Sequence, residues 1–243
     1  MNKPLLFTLG LLFCSNLSLA KVTVDVNGER RQYSEAPRLA EVLQPYALKQ
    51  QWYWPAAALY RTDSQYAHSL RRELISLAAE IAQQTDDKSL SDALALMQAQ
   101  VNQWQLAERI AMPLDYDAAT VQAALNPRFD AGDYRIVLGR RPGVVHIAGA
   151  VKRALSVPHN SASHVAVYAQ PDHFSYAADS SKLAVVQPDG RIVIAGISSW
   201  NSQHVEAMPG AQLLVLFTEP LLDKRFARLN TLLQQLAVHR ILP

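Results

Sequence analysis

The sequence predicts an α+β protein: two tandem β-grasp domains, a helical hairpin inserted into the first, and an amphipathic helix at the C-terminal end. Three observations carry this. Strand-like segments of one starting type and one ending type occur twice. The first unit is longer than the second by a stretch with helical periodicity. The last segment carries an apolar stripe at helical spacing. Composition agrees: 49% of the 243 residues are hydrophobic and 18% charged, the balance of a globular chain. A formal net charge of +2 is too small for an electrostatic footprint on nucleic acid.

The chain opens MNKPLLFTLGLLFCSNLSLA. Lys3 supplies a positive start, residues 5–13 are apolar but too short to span a bilayer as a helix, and Ser18-Leu19-Ala20 offers small residues for cleavage. Residues 1–20 are therefore expected to be a signal peptide, which directs the protein to the periplasm. A lipoprotein signal using Cys14 is the rival reading. Bulky Phe13 before the cysteine and the polar SNLS after it argue against it. Cys14 is the only cysteine, so cleavage after Ala20 leaves none, which excludes disulfides, thiolate catalysis and cysteine-held metals.

Next comes KVTVDVNGERRQYS. Val22, Val24 and Val26 alternate with polar residues, and Asn27-Gly28 is a hairpin turn signal. Leu39, Val42 and Leu43 follow at helical spacing. A hairpin running into a helix is how a β-grasp domain begins. Further on, the run from Ala131 to Leu138 resembles the run from Pro209 to Leu216, and VVHIAGAV with Gly149 resembles VTVDVNG with Gly28. One type starts a unit and the other ends it. The segment DAGDYRIVLGRRPGVVHIAGAV therefore reads as a seam, with Arg140-Arg141-Pro142-Gly143 as the connection, and Pro142 suits a place where pairing stops.

Val22 to Gly132 spans 110 positions, whereas Val144 to Gly210 spans 66. The excess falls in residues 66–108, which lack glycine and proline. Leu70, Leu74, Leu77 and Ile81 form one apolar stripe, and Leu90, Leu94, Met97, Val101 and Trp104 a second; residues 85–89 break and cap the pattern. Packing is the expected role of this hairpin, with a partner surface as the alternative. In the second unit, AVVQPDGRIVIAG is a hairpin around Pro188-Asp189-Gly190. At the C-terminal end, Leu222, Phe226, Leu229, Leu233 and Leu236 line one face of a helix, with Lys224, Arg225 and Arg228 elsewhere. The expected division is a first domain over residues 21–141, a second over 142–218 and the terminal helix over 219–243.

Chemistry is sparse. There is no phosphate loop, no Gly-x-Ser-x-Gly and no His-Glu-x-x-His. No catalytic residue, cofactor or metal is expected. His159, His164 and His173 fit no common zinc spacing, and His146 sits in a strand. Asp115 and Asp117 could face one bond as a carboxylate pair, but Asp117 precedes a short helix and reads more simply as its N-cap. Ser161, Ser163 and His164 are adjacent in sequence only, and a triad is a spatial object. Arg109 stands where the chain leaves the inserted helices. It either bridges the insertion to its domain through a carboxylate or presents its planar donors to an acidic or hydroxyl-rich ligand. Tyr134, Trp200 and Asn201 are further ligand-binding candidates, because aromatic faces with amides suit sugars; a packed core tryptophan is the alternative for Trp200.

The run VVQPDGRIVIAGISSWN followed by MPGAQLLVLF, with the seam, the inserted helices and the terminal helix, resembles the capsule biosynthesis GfcC family over nearly the whole chain beyond residue 20. Ser198-Ser199 before Trp200 departs from the bulkier run expected there. The resemblance implies two ligand-binding β-grasp domains of the SLBB-like kind and an accessory role in capsule or exopolysaccharide biosynthesis and export, without a known enzymatic step. It implies polysaccharide or the outer-membrane export machinery as partner, and an arginine after the helical insertion as a family feature, matched by Arg109. A glycan-modifying enzyme and a purely protein-binding scaffold are the alternatives. Related export proteins cross the outer membrane with a terminal helix. Here Lys224, Arg225 and Arg228 make a lone spanning helix costly, so a helix docked on a monomer is expected, with membrane contact disfavoured.

Overall fold

The structure is a computed structural model and describes residues 21–242. The expected signal segment, with Cys14, lies outside the described residues. Strand β1 (Val22–Val26) and strand β2 (Glu29–Tyr33) form the first hairpin. Asn27 and Gly28 both have positive φ, 50° and 91°, as a two-residue turn between twisted strands requires. The Asn27 amide also clamps the far end of its sheet. Its Nδ2 donates to the Leu138 carbonyl at 2.8 Å and its Oδ1 accepts from the Leu138 N–H at 2.9 Å.

Helix α1 (Leu39–Ala47) buries Leu39, Val42, Leu43 and Tyr46 against this sheet. Strand β3 (Ala58–Arg61) leads into helices α2 (Tyr66–Gln83) and α3 (Lys88–Asn102), after which the chain returns as strand β4 (Glu108–Ile110). Helix α4 (Tyr116–Val121) and strand β5 (Gly132–Val137) complete the unit. The strand order is β2-β1-β5-β3-β4, with β1 and β5 parallel and the other pairs antiparallel.

The second unit has strands β6 (Val144–Gly149), β7 (Leu155–Pro158), β8 (Ala178–Val186), β9 (Ile192–Gly196) and β10 (Gln212–Phe217). Its order, β7-β6-β10-β8-β9, repeats the first strand for strand, with β6 and β10 as the parallel pair. This is a tandem of β-grasp-like sheets. The α2–α3 hairpin stands between β3 and β4, where the second sheet has only the tight turn at Pro188-Asp189-Gly190 between β8 and β9.

The second sheet lacks a counterpart of α1: two short 3-10 turns, Val165–Tyr168 and Pro171–His173, lie between β7 and β8. Its inner strands are nonetheless deeply buried, β6 and β8 over part of their length and β10 along the whole of it. The cover is borrowed. Leu70, Leu74, Ile81, Leu94, Met97, Val101 and Trp104 of the inserted hairpin share one core with Val145, Ile147, Leu183, Val185 and Leu214 of the second sheet. The first sheet keeps a separate core with α1 and α4. The Gln100 amide locks α3 to the end of β6, donating to the Gly149 carbonyl at 3.1 Å and accepting from its N–H at 3.2 Å. Gly149, with φ of 96°, lies so close to β10 that a Cβ would stand 2.3 Å from the Val215 carbonyl oxygen.

The last helix, α5 (Arg225–Val238), completes this layer beside α2. It begins later than its sequence suggests. Leu222, expected in the apolar stripe, precedes the helix and is fully exposed, as is Leu221; Pro220 stands just before them. Phe226, Leu229, Leu233 and Leu236 are buried. Two of the three basic residues reach α2: Arg225 pairs with Glu80 as well as Asp223, and Arg228 pairs with Glu73. Asn230, 1% exposed, holds β10 from within the helix. Its Oδ1 accepts from the Phe217 N–H at 2.9 Å and its Nδ2 donates to the Phe217 carbonyl at 2.8 Å. No helix of the described residues is long and apolar enough to cross a membrane.

Candidate functional site between the two domains

Arg109 lies on β4, paired across the sheet with Tyr60 of β3. Its backbone N–H donates to His239 Nδ1 at 2.9 Å, just beyond α5. Its guanidinium reaches out of its own domain and donates to the carbonyl of Pro188 in the β8–β9 turn. Gly190 of the same turn lies against it: a Cβ there would stand 3.2 Å from Arg109 Nε. The expected carboxylate bridge to the insertion is therefore replaced by a carbonyl of the other domain. Burial pushes the guanidinium below its ordinary value, with Tyr60 and Asp189 opposing. Burial raises Tyr60 in turn, with Arg109 opposing.

Two clefts open on either side of this contact. The larger, about 620 Å³, runs between Trp54-Pro55, residues 111–115 and the turn at Asp189–Arg191. The smaller, about 390 Å³, is lined by Tyr60, Arg109, Arg140, His146, Gln212 and Arg240 among others, with no carboxylate among its described residues. Arg240 is fixed from three sides. Its carbonyl accepts from Tyr60 Oη at 3.2 Å, its Nη1 donates to Gln212 Oε1 at 3.3 Å, and its guanidinium stands 4.7 Å from the centre of the Trp104 ring. Burial lowers the His146 pKa, and Arg240 lowers it further. His239 is likewise lowered by burial, with Glu108 opposing and Arg109 adding.

The other sequence candidates are not gathered here. Tyr134 is 5% exposed in the first core, edge-on to Phe129 with ring centres 5.0 Å apart. Trp200 lies beyond β9 and is 78% exposed, which corrects the packed-core alternative. Asn201 serves its own turn: its Oδ1 accepts from the Ser198 N–H at 3.0 Å and its Nδ2 donates to the Ser181 carbonyl at 2.9 Å. Asp115, not Asp117, caps α4, accepting from the Ala118 N–H at 2.9 Å; Asp117 falls in the first turn. His159 and His164 bond to the carbonyls of Ala207 and Gln203. Among the described residues no group of three or more His, Cys, Asp or Glu could hold a metal. Arg240, His239 and Tyr60 were not singled out from the sequence. Nothing local marks them, since Tyr60 and Arg240 meet only through a contact 180 positions apart.

Residues 18–141 match the model of the N-terminal part of the capsule biosynthesis GfcC proteins, and residues 153–242 match that of the C-terminal part. The chain is also similar to the uncharacterized protein YjbG of Escherichia coli (strain K12), 28% identical over 239 residues, which is 98% of this chain and 96% of that protein.

Proposed function

The chain belongs to the capsule biosynthesis GfcC family, and from that premise we propose that it is a non-enzymatic periplasmic accessory protein of capsule or exopolysaccharide assembly. Its two domains hold a stretch of polysaccharide, or of the export machinery, in the clefts beside Arg109. The observation that carries this reading is the place of that side chain. It is a half-buried arginine with no carboxylate partner among the described residues, and its one side-chain hydrogen bond goes to a carbonyl of the other domain. A planar guanidinium with donors to spare, set between two clefts, suits a carboxylate or hydroxyl-bearing ligand.

One observation favours the enzyme alternative: Asp115 and Asp189 both line the larger cleft. Each already spends an oxygen on a backbone amide, Asp115 at the start of α4 and Asp189 within its turn, which supports binding over catalysis. The test is complementation of a deletion strain, scored by surface polysaccharide, with a thermal melt of each purified variant. Arg109→Ala is expected to fold and to lower surface polysaccharide. The double variant Asp115→Asn/Asp189→Asn is expected to leave it unchanged. Normal polysaccharide with a clearly lowered melting temperature for Arg109→Ala overturns the ligand role. The lost bond to Pro188 is of the charge-assisted kind, worth about 1.5–3 kcal/mol, and would account for that outcome alone.

A further inference from the structure

A third recess, about 600 Å³, lies on the outside of the domain junction and does not include Arg109. Its lining is Gln50, Gln51, Trp52, Tyr53, Arg140 and Arg141. We propose that this recess is a binding site for an anionic saccharide, one whose sugar rings carry carboxylate or a comparable acidic group.

Each part of the lining has a matching role. Trp52 and Tyr53 are half-buried, so their rings are partly open to solvent. Trp52 is also held in place, because its Nε1 donates to the Tyr46 carbonyl at 2.9 Å. An immobilised ring loses little entropy when a pyranose lays its apolar C–H face on it. The two glutamine amides supply a donor and an acceptor each, the pairing that sugar hydroxyls need. Arg140 and Arg141 are exposed, and no carboxylate stands among the six lining residues. Arginine forks recognise planar carboxylates with two parallel bonds. A neutral glycan could accept single hydrogen bonds from the guanidiniums but would leave both charges unmatched, and an acidic peptide would leave both aromatic faces without a use.

The recess is also built, not incidental. The Tyr53 N–H donates to the Gly139 carbonyl at 2.8 Å, tying the Gln50–Tyr53 loop to the inter-domain linker. Arg140 of that linker lines the smaller cleft as well. An acidic chain seated on Trp52 and Tyr53 therefore has its next charge directed toward the cleft that holds Arg240. The inference rests on the glycan reading above and names the class of glycan.

The experiment is titration of the purified protein at low and moderate salt with hexagalacturonate, with its carboxyl-reduced neutral counterpart, and with hexaglutamate. Hexagalacturonate should bind and the neutral hexamer should not, with affinity falling as salt rises. Arg140→Gln/Arg141→Gln should weaken binding by about tenfold or more. Both side chains are exposed, so the fold is not at risk. Tyr53→Ala should weaken hexagalacturonate and leave hexaglutamate unaffected. Absence of hexagalacturonate binding, equal binding of the neutral hexamer, or hexaglutamate bound as tightly as hexagalacturonate each overturns the proposal, the last in favour of an acidic peptide. Because Arg109 is outside the recess, a failed titration beside a positive Arg109 complementation result removes this site and leaves the clefts.

Discussion

Leu94 belongs by sequence to the first unit, yet its side chain is fully buried in the core of the second. Leu94→Ala therefore separates sequence neighbourhood from packing. Removing a fully buried leucine loses its transfer free energy and leaves a cavity that neighbouring side chains fill only in part, a total of about 2–5 kcal/mol. The loss should fall on the body that contains α2, α3, α5 and the second sheet, since these share one core. The first core is separate and includes none of the hairpin. Native-state hydrogen exchange reads this directly. At about 2 kcal/mol, amides of β6, β8 and β10 that exchange through opening of this body should exchange roughly 30-fold faster. Amides of β1 and β5 should change far less. Faster exchange in β1 and β5, with β6 and β10 unchanged, would refute the claim that the insertion stabilises the second domain.

Two further expectations follow from the same packing. Asn230→Leu keeps the branched shape but strands the N–H and carbonyl of Phe217, at about 1–3 kcal/mol for each buried group left unpaired; a denaturation midpoint no lower than that of the unsubstituted protein would contradict it. His146 and His239 both have pKa values held below the ordinary histidine value near 6.5, burial being the first cause in each. Protonation is thus harder in the folded protein than in the unfolded chain. The stability this represents is fully present above the unfolded value and is lost as pH falls through the folded values. Melting temperature should drop on acidification below about 6.5, with a shallower drop in His146→Gln/His239→Gln; an equal slope in the variant would show that other groups carry the dependence.

Local patterns were legible without coordinates. The alternation of Val22, Val24 and Val26 specifies which face of a strand is buried, and Asn27-Gly28 specifies a turn that only left-handed backbone can make. The repeated starting and ending strands appear as two sheets of identical order. Leu70, Leu74, Leu94 and Met97 marked apolar helix faces that are indeed buried. Periodicity states that a face needs cover; it does not state what covers it. That the inserted hairpin lies on the second sheet, and that Arg109 reaches Pro188 of the neighbouring domain, depend on contacts between residues far apart in the chain.

Finer errors share that origin. Asp115 and Asp117 are equally good caps by composition, and only the backbone path selects Asp115. Leu222 fits the apolar stripe by spacing, but the helix starts at Arg225 and leaves it in water. Trp200 has the composition of a core residue and stands in solvent. The amino-acid sequence by itself determined the tandem of units, the kind of element at each place and the faces that must be hidden, because these follow from local backbone chemistry and hydrophobic spacing. The tertiary structure alone decided which body hides each face, which carbonyl receives the Arg109 guanidinium and where the arginines meet the clefts, because those energies arise only when distant segments exclude water together.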